Sequence, residues 1–363
     1  MTGRLIVFGV LVVMLMASMP DRDAMSTQSR AAQPAPSPSR RAPSPPLVIT
    51  TVGATVSDLI IADAPSHCIE VHAARVTIIN VELARCRGHG VSIRAPGARV
   101  LNSHIHDMGP RPGPGGSDER NCIVAFDTRD VLVQGNVLER CETLVMGQRT
   151  SGMRVVGNFG LNPMGPMPRG QHVQLTYAVG GEITDNYFLT ENGRPTVSNS
   201  ADQINLFRSS RILVARNYVK GGDSDSGCGI LLSDAAPPGE KNVAEDNVLI
   251  RTAQCGVGVA GGLDHVVRRN KILDPSFPGG GGNVGIYVWL CCSGRPPCAG
   301  HTVIDNVVSN RTPDGRENPF WNGGNCGPIT MSGNIFGAAA RPLLTPEAEK
   351  LPAPPIPPKP WAP

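Results

Sequence analysis

Three side chains of the kind that move protons stand just ahead of equivalent apolar positions in this sequence. His172 precedes Val173, Asp202 lies two residues before Ile204, and Lys220 lies in the loop that leads to Ile230. If those apolar residues sit on stacked strands, an imidazole, a carboxylate and an ammonium fall on consecutive layers about 4.8 Å apart. Such a set suits removal of a proton beside a carboxylate-bearing carbon. His172 or Lys220 would be the base, and a nearby cation would stabilise the charge that develops. Asp223 and Asp225 in the same loop would hold calcium, the one cofactor the sequence allows. Polar residues at loop corners account for the same pattern, and that plainer reading stays beside the catalytic one.

Other chemistry-bearing residues lead less far. The run Asp223-Ser-Asp225-Ser-Gly227, with Asp234 twelfth in the frame, mimics a calcium loop. Cys228 stands where that loop requires glycine and a strand follows inside the frame, so an EF-hand is excluded. His265 and His301 each lie five residues before a recurring Asn and should stack as structural residues. His104 and His106 share one strand face and read as a satisfied pair. Cys291, Cys292, Cys298 and Cys326 lack the paired short spacings of a zinc site.

The elements that must position these groups come from a repeat. Its frame is an apolar residue, two of any kind, Asn, one more residue, then usually another apolar one. The Asn positions are Asn136, Asn158, Asn186, Asn217, Asn247, Asn270, Asn306 and Asn334, and earlier copies put Val81 and Ser103 in that slot. Steps of 22 to 36 residues between them point to a solenoid whose units bury their apolar faces on one another. Apolar residues alternate at period 2 in short segments bounded by Gly, Asn, Asp or Pro, which excludes helices. An Asn recurring at one corner tolerates a left-handed backbone and can form a hydrogen-bonded ladder. The expectation is an all-β chain, a single parallel β-helix of about 10 to 11 coils with an Asn ladder.

This pattern resembles the right-handed parallel β-helix of the pectate-lyase-like superfold, from about Val48 to Gly337. The segments ADQINLF, SGCGILL, QCGVGVAGG and NVGIYVW look most like a group of secreted bacterial β-helix proteins. The resemblance implies a right-handed solenoid but no single activity, since one fold hosts many chemistries. Gly88–Ile93, GHGVSI, resembles the histidine motif of polygalacturonase-type glycosidases. The paired carboxylates that such enzymes need are missing from the preceding coil. The motifs of mannuronan epimerases and pectate lyases are missing too.

Loop lengths vary mainly between the ladder Asn and the next apolar strand, including Met108–Arg120, Gly160–Gly170, Leu189–Ala201 and Asp274–Asn283. Insertions gathered on one edge of a repeat protein often mark its binding face. With Ile123, Val173, Ile204, Ile230 and Ile286 inward, alternation turns Phe126, Gln174, Asn205, Phe207, Tyr287 and Trp289 outward. Aromatic faces beside amides suit sugar rings, and Arg208 would add a cation for a uronate. Burial of the stripe under loops or the tail is the alternative.

Net charge is only +3, too small to argue for nucleic acid. Arg outnumbers Lys 28 to 5. Residues 1–19 read as a secretory signal, with a cation followed by an apolar run too short for an ordinary membrane span; an uncleaved anchor is the alternative. Residues 20–46 read as a Pro/Ser-rich linker, 47–337 as the β-helix and 338–363 as a Pro-rich, polyproline-like tail. Ten cysteines in an exported chain make disulfides plausible. The four late cysteines are the expected staples, while Cys228 and Cys255 can equally stack as thiols. Together these features predict a secreted or envelope protein that binds, and in one version cleaves, extracellular acidic polysaccharide. No membrane domain remains after signal cleavage. A non-catalytic adhesion or structural solenoid is the rival reading, and no oligomeric state follows.

Overall fold

The computed structural model describes residues 41–109, 119–165, 169–191, 202–222, 224, 226–234, 237–252, 254–274, 283–290 and 297–349. Among these, the chain winds through three parallel sheets of 12, 11 and 11 strands, termed A, B and C. Sheet A runs from Ala42–Pro43 to Ile335–Phe336, sheet B from Leu47–Ile49 to Phe320–Gly324 and sheet C from Thr55–Ser57 to Thr330–Ser332. Each coil visits A, B and C in turn, and each strand pairs with its counterpart one coil on. Residues such as Ile123, Val173, Ile204, Ile230 and Ile286 are fully buried inside.

The Asn ladder closes the corner between sheets C and A. The Asn217 side-chain amide donates to Asn247 Oδ1 at 3.0 Å and to the Ile183 carbonyl at 2.8 Å, while its own Oδ1 accepts from Asn186. The same bonds link Asn136 through Asn334 without a break. Where Ser103 stands instead, its Oγ accepts the Val81 N–H at 3.2 Å. The backbone reason expected for Asn is corrected. The left-handed residue is the one before it: Gly135, Gly157, Asp185, Arg216, Asp246, Arg269, Asp305 and Gly333. Asn is selected for its amide, which supplies both donor and acceptor at a buried corner.

Those left-handed corners also account for much of the arginine. Asp185 and Arg216, then Asp246 and Arg269, stack as bidentate pairs at 2.7 to 2.9 Å. At other corners Asp63 pairs with Arg85 and Asp127 with Arg149. A guanidinium fork matches a carboxylate one coil away in a way that an ammonium cannot.

The ends differ from expectation. Parallel pairing begins at Ala42–Pro43, inside the segment read as linker. After Phe336 the chain forms a 3-10 turn, Gly337–Ala339, and a helix, Arg341–Glu349, where a polyproline-like coil is expected. Ala340 and Leu344 are fully buried beside Tyr187, Tyr218, Ile250 and Leu273, so apolar burial on sheet A overrides the proline content. No described helix is long and apolar enough to cross a membrane.

Among the described residues four disulfides occur: Cys68–Cys86, Cys122–Cys141, Cys228–Cys255 and Cys298–Cys326. Cys228 and Cys255 are bonded across adjacent coils rather than stacked as thiols, with Cα atoms 4.5 Å apart. They pack with Leu231, Ala260 and Val284. Cys291 and Cys292 lie outside the described residues.

Candidate functional site

A groove of about 920 Å³ lies over the outer face of sheet B. One row of its floor is Met146, Gln174, Asn205, Leu231, Gly258, Tyr287 and Trp321, each facing the next through parallel register. A second row contains Gln148, Thr176 and Phe207, with Trp289 at its far end. From Gln148 to Trp321 the groove crosses six strand spacings, about 29 Å. Trp289 and Trp321 are 38% and 46% exposed, and their ring centroids lie 6.2 Å apart. Gly258 is fixed by Tyr287: a Cβ there would stand 2.6 Å from the ring. The ring can therefore lie down over the neighbouring strand.

Asp202 sits at the corner between sheets A and B, at the groove wall. Its Oδ1 accepts the Cys228 N–H at 2.8 Å, and its Oδ2 accepts from the Asn205 amide at 2.5 Å. Burial pushes its pKa up to about 7, and the nearby charge of Asp234 adds to the rise. Tyr287 is a half-buried residue whose hydroxyl end is desolvated. Burial, then the charges of Asp202 and Asp234, raise its pKa, so it stays a neutral donor. Arg169 binds Glu119 at 2.7 Å and reaches Gln174 at 3.3 Å. A carboxyl that titrates near neutrality beside a second carboxylate can serve as a general acid or base.

Of the three residues expected to act together, only Asp202 reaches the groove. His172 is inside the solenoid, its ring stacked on Phe188 at 4.7 Å and its Nε2 3.1 Å from Thr190 Oγ1. Burial drives its pKa down to about 3, so it is a neutral core residue rather than a base. Lys220 ends the strand Tyr218–Lys220 of sheet A, on a different face. Stacking of layers does not join them to Asp202, because His172 turns inward onto Phe188 and Lys220 belongs to another sheet. Asp223 and Asp225, the calcium expectation, lie outside the described residues.

The structure brings Gln174, Asn205, Phe207, Tyr287 and Trp289 together on the groove. Phe126 lies one rung beyond Gln148 and is covered by Arg94, 5.0 Å from its ring centre. Arg208 does not face the groove. Its backbone is left-handed, and its guanidinium lies over Phe207 and Tyr177. Trp321, Asp234, Arg169 and Gln254 also line the groove without having been expected there. Trp321 was legible by alternation from Phe320, which packs on the core. Arg169 and Asp234 follow no repeat position, and no periodic signal points to them.

The sequence matches the family described as right handed beta helix region over residues 47–159 and 168–336. This chain belongs to that family. Among curated proteins no sequence matches it. Among solved right-handed β-helices, an alginate lyase of the PL6 class in complex with a trisaccharide is 13% identical. It covers 83% of this chain and 78% of its own, with a TM-score of 0.55. A tailspike protein of E. coli bacteriophage HK620, solved with a pentasaccharide, is 12% identical over 83% of this chain and 60% of its own, with a TM-score of 0.48. The Dettilon tailspike matches at 12% identity over 79% of this chain, which spans only 51% of that protein, with a TM-score of 0.45. At these identities the likeness is one of fold.

Proposed function

We propose that this right-handed β-helix protein binds an extended, uncharged glycan in the sheet B groove and cleaves it by acid–base chemistry at Asp202 and Asp234. What carries the reading is a carboxyl buried beside a second carboxylate on a long, aromatic-edged groove. Sugar rings would lie on Phe207, Trp289 and Trp321, with Gln174 and Gln148 bonding their hydroxyls. Protonated Asp202 would give its proton to the departing glycosidic oxygen. Ionised Asp234 would activate water or attack the anomeric carbon. Bond cleavage then yields one new reducing end. The fold neighbour holding a trisaccharide agrees with an oligosaccharide ligand. An acidic glycan suits the groove less, because among the described residues its carboxylates are Asp202 and Asp234 and its guanidinium, Arg169, is already bound to Glu119.

A non-catalytic binder is the second reading, and one observation favours it. Asp202 accepts a backbone N–H from the next coil, as Asn121 does from Thr143 at the same corner. Incubating the protein with neutral and uronate polysaccharides, while measuring new reducing ends, separates the two. The catalytic reading expects reducing ends from a neutral glycan, lost in Asp202→Asn while binding persists. Binding with no product from any glycan supports the binder. Unsaturated product from a uronate glycan, formed equally by Asp202→Asn, would overturn the proposal. We also propose export, supported by the four disulfides and the N-terminal apolar run. Intact mass of the recovered protein tests it, and a full-length N-terminus would favour an anchor.

A further inference from the structure

On sheet A, away from the groove, three neighbouring strands carry Glu82, His104, His106 and Glu139. The alternating residues Leu83, Ile105 and Leu138 are fully buried in the core, so these four face outward. His104 lies opposite Glu82 and His106 opposite Glu139 in register, but the contacts cross. His104 Nε2 is 3.5 Å from Glu139 Oε1, and His106 Nε2 is 3.6 Å from Glu82 Oε1. The two rings stack with centroids 4.0 Å apart.

The tautomer of His106 is decided by Asp107, whose Oδ2 lies 2.6 Å from His106 Nδ1. A carboxylate only accepts, so Nδ1 carries the hydrogen. The neutral ring then presents a buried Nε2 lone pair, without a hydrogen-bond partner, to a carboxylate oxygen. Two acceptors face each other, and a proton or a metal ion must stand between them. One divalent cation answers both pairs at once.

We propose that His104, His106, Glu82 and Glu139 form a binding site for a divalent transition-metal ion of the zinc class. Imidazole nitrogen and carboxylate oxygen are a usual zinc donor set. Ligands of a tetrahedral zinc stand roughly 3.3 Å apart, given bonds of about 2.0 Å. The observed His–Glu separations of 3.5 and 3.6 Å are close to that. The supporting shell is in place as well. Glu139 Oε2 accepts from Arg140 at 2.5 Å, Glu82 Oε2 from Arg41 at 3.4 Å, and Asp107 is clamped by Arg140. Each glutamate keeps Oε1 turned to an imidazole. Hydrogen-bonded carboxylates and a carboxylate-oriented histidine are what metal ligands ordinarily need behind them.

The four atoms still have to be gathered onto one ion. Among the described residues only Cys298, His301 and Cys326 place three potential ligand atoms within 4.8 Å of one another. Those sulfurs share a disulfide, and His301 Nδ1 accepts the His265 N–H at 3.3 Å, which leaves its Nε2 protonated. That cluster therefore offers neither a thiolate nor a free imidazole lone pair. On sheet A closure needs movement of the four side chains, which lie on the outer face rather than inside the core.

The test uses the full chain, stripped with a chelator and titrated with zinc by calorimetry and with cobalt(II) by visible absorption. One equivalent should bind, with ligand-field bands of a four-coordinate ion, and zinc should raise the Tm. Asp107→Asn should weaken binding about 10- to 100-fold, the range for losing a supporting shell. Glu139→Gln and His106→Gln should weaken it at least as much and cancel the zinc-dependent rise in Tm. No uptake by the parent would overturn the proposal. So would uptake unchanged in folded His106→Gln and Glu139→Gln, or uptake lost in His301→Gln instead.

Discussion

An amide at position 202 can match only part of what Asp202 does, and the difference is measurable. The carboxyl accepts from both the Cys228 N–H and the Asn205 amide, while Asn205 Oδ1 is buried without a partner. In Asp202→Asn, a half-turn of the Asn205 amide would let Asn205 Oδ1 accept from the new amide, so the substitution should fold. Its effect on stability depends on pH. The folded pKa of about 7 lies above the ordinary aspartate value, so the folded state holds an extra proton between roughly pH 4 and 7. Stability contributed by that proton is present below this window and is lost as pH rises through it. Three pKa units correspond to at most about 4 kcal/mol. Buried His89, His172, His265 and His301, with lowered pKa values, give the opposite trend in both proteins, so the readout is the difference: relative to Asp202→Asn, the parent should lose stability in urea denaturation between pH 4 and 7. A pH-independent difference would mean that Asp202 does not titrate there. The sequence pointed to Asp202 by its place before an apolar strand, and the same reasoning wrongly joined it to His172. One residue's shift toward the strand turned that imidazole onto Phe188 instead, and repeat spacing alone does not resolve side-chain direction at corners.

At the scale of the elements, the coil was readable because the physics repeats. Inward apolar residues recur in every coil and the ladder Asn recurs eight times, so the frame rises above the noise of any one copy. The helix Arg341–Glu349 occurs once, is rich in proline and has no partner copy, and it was missed. Ladder energetics give the second prediction. Asn217 is buried and bonded on both sides, so Asn217→Ala strands the backbone N–H of Asn186 and carbonyl of Ile183. Such a loss should cost about 1–3 kcal/mol in denaturant unfolding. Asn334 ends the ladder in a partly exposed site, with only one amide neighbour. Water replaces more of its bonds, and Asn334→Ala should cost less. Equal costs would show that the ladder does not act through buried amides. Cys228→Ala belongs to the same comparison. The Cys228–Cys255 bond closes a separation of 27 residues, and loop-entropy reasoning gives roughly 3 kcal/mol. Its loss should therefore rival that of Asn217, contrary to what two free thiols would show.

Across the solenoid, stacking turns a two-residue alternation into a surface about 29 Å long. That is why Gln174, Asn205, Phe207, Tyr287 and Trp289 could be assembled from the sequence although they span five coils. The charge of the surface could not be, because Asp234, Glu119 and Arg169 come from connections with no repeat. With Lys220 on sheet A and Arg208 engaged over Phe207 and Tyr177, neither predicted cation is among the described residues that line the groove. The last prediction follows from that arrangement. Phe207 and Trp289 stand three strand spacings apart, about 14 Å, with Trp321 extending the far end. A chain that rests on both ends must be an oligomer, so affinity should rise steeply with length until both are covered and then level off. Phe207→Ala should weaken binding of a long glycan by about 1–3 kcal/mol, the range for truncating a contacting aromatic. Trp289→Ala should act similarly, with little change in Tm, since that ring is already more than a third exposed. For the uncharged glycan proposed, calorimetric affinity should hardly change between low and high salt. A strong salt dependence, together with preference for uronate chains, would place the binding surface elsewhere than this groove.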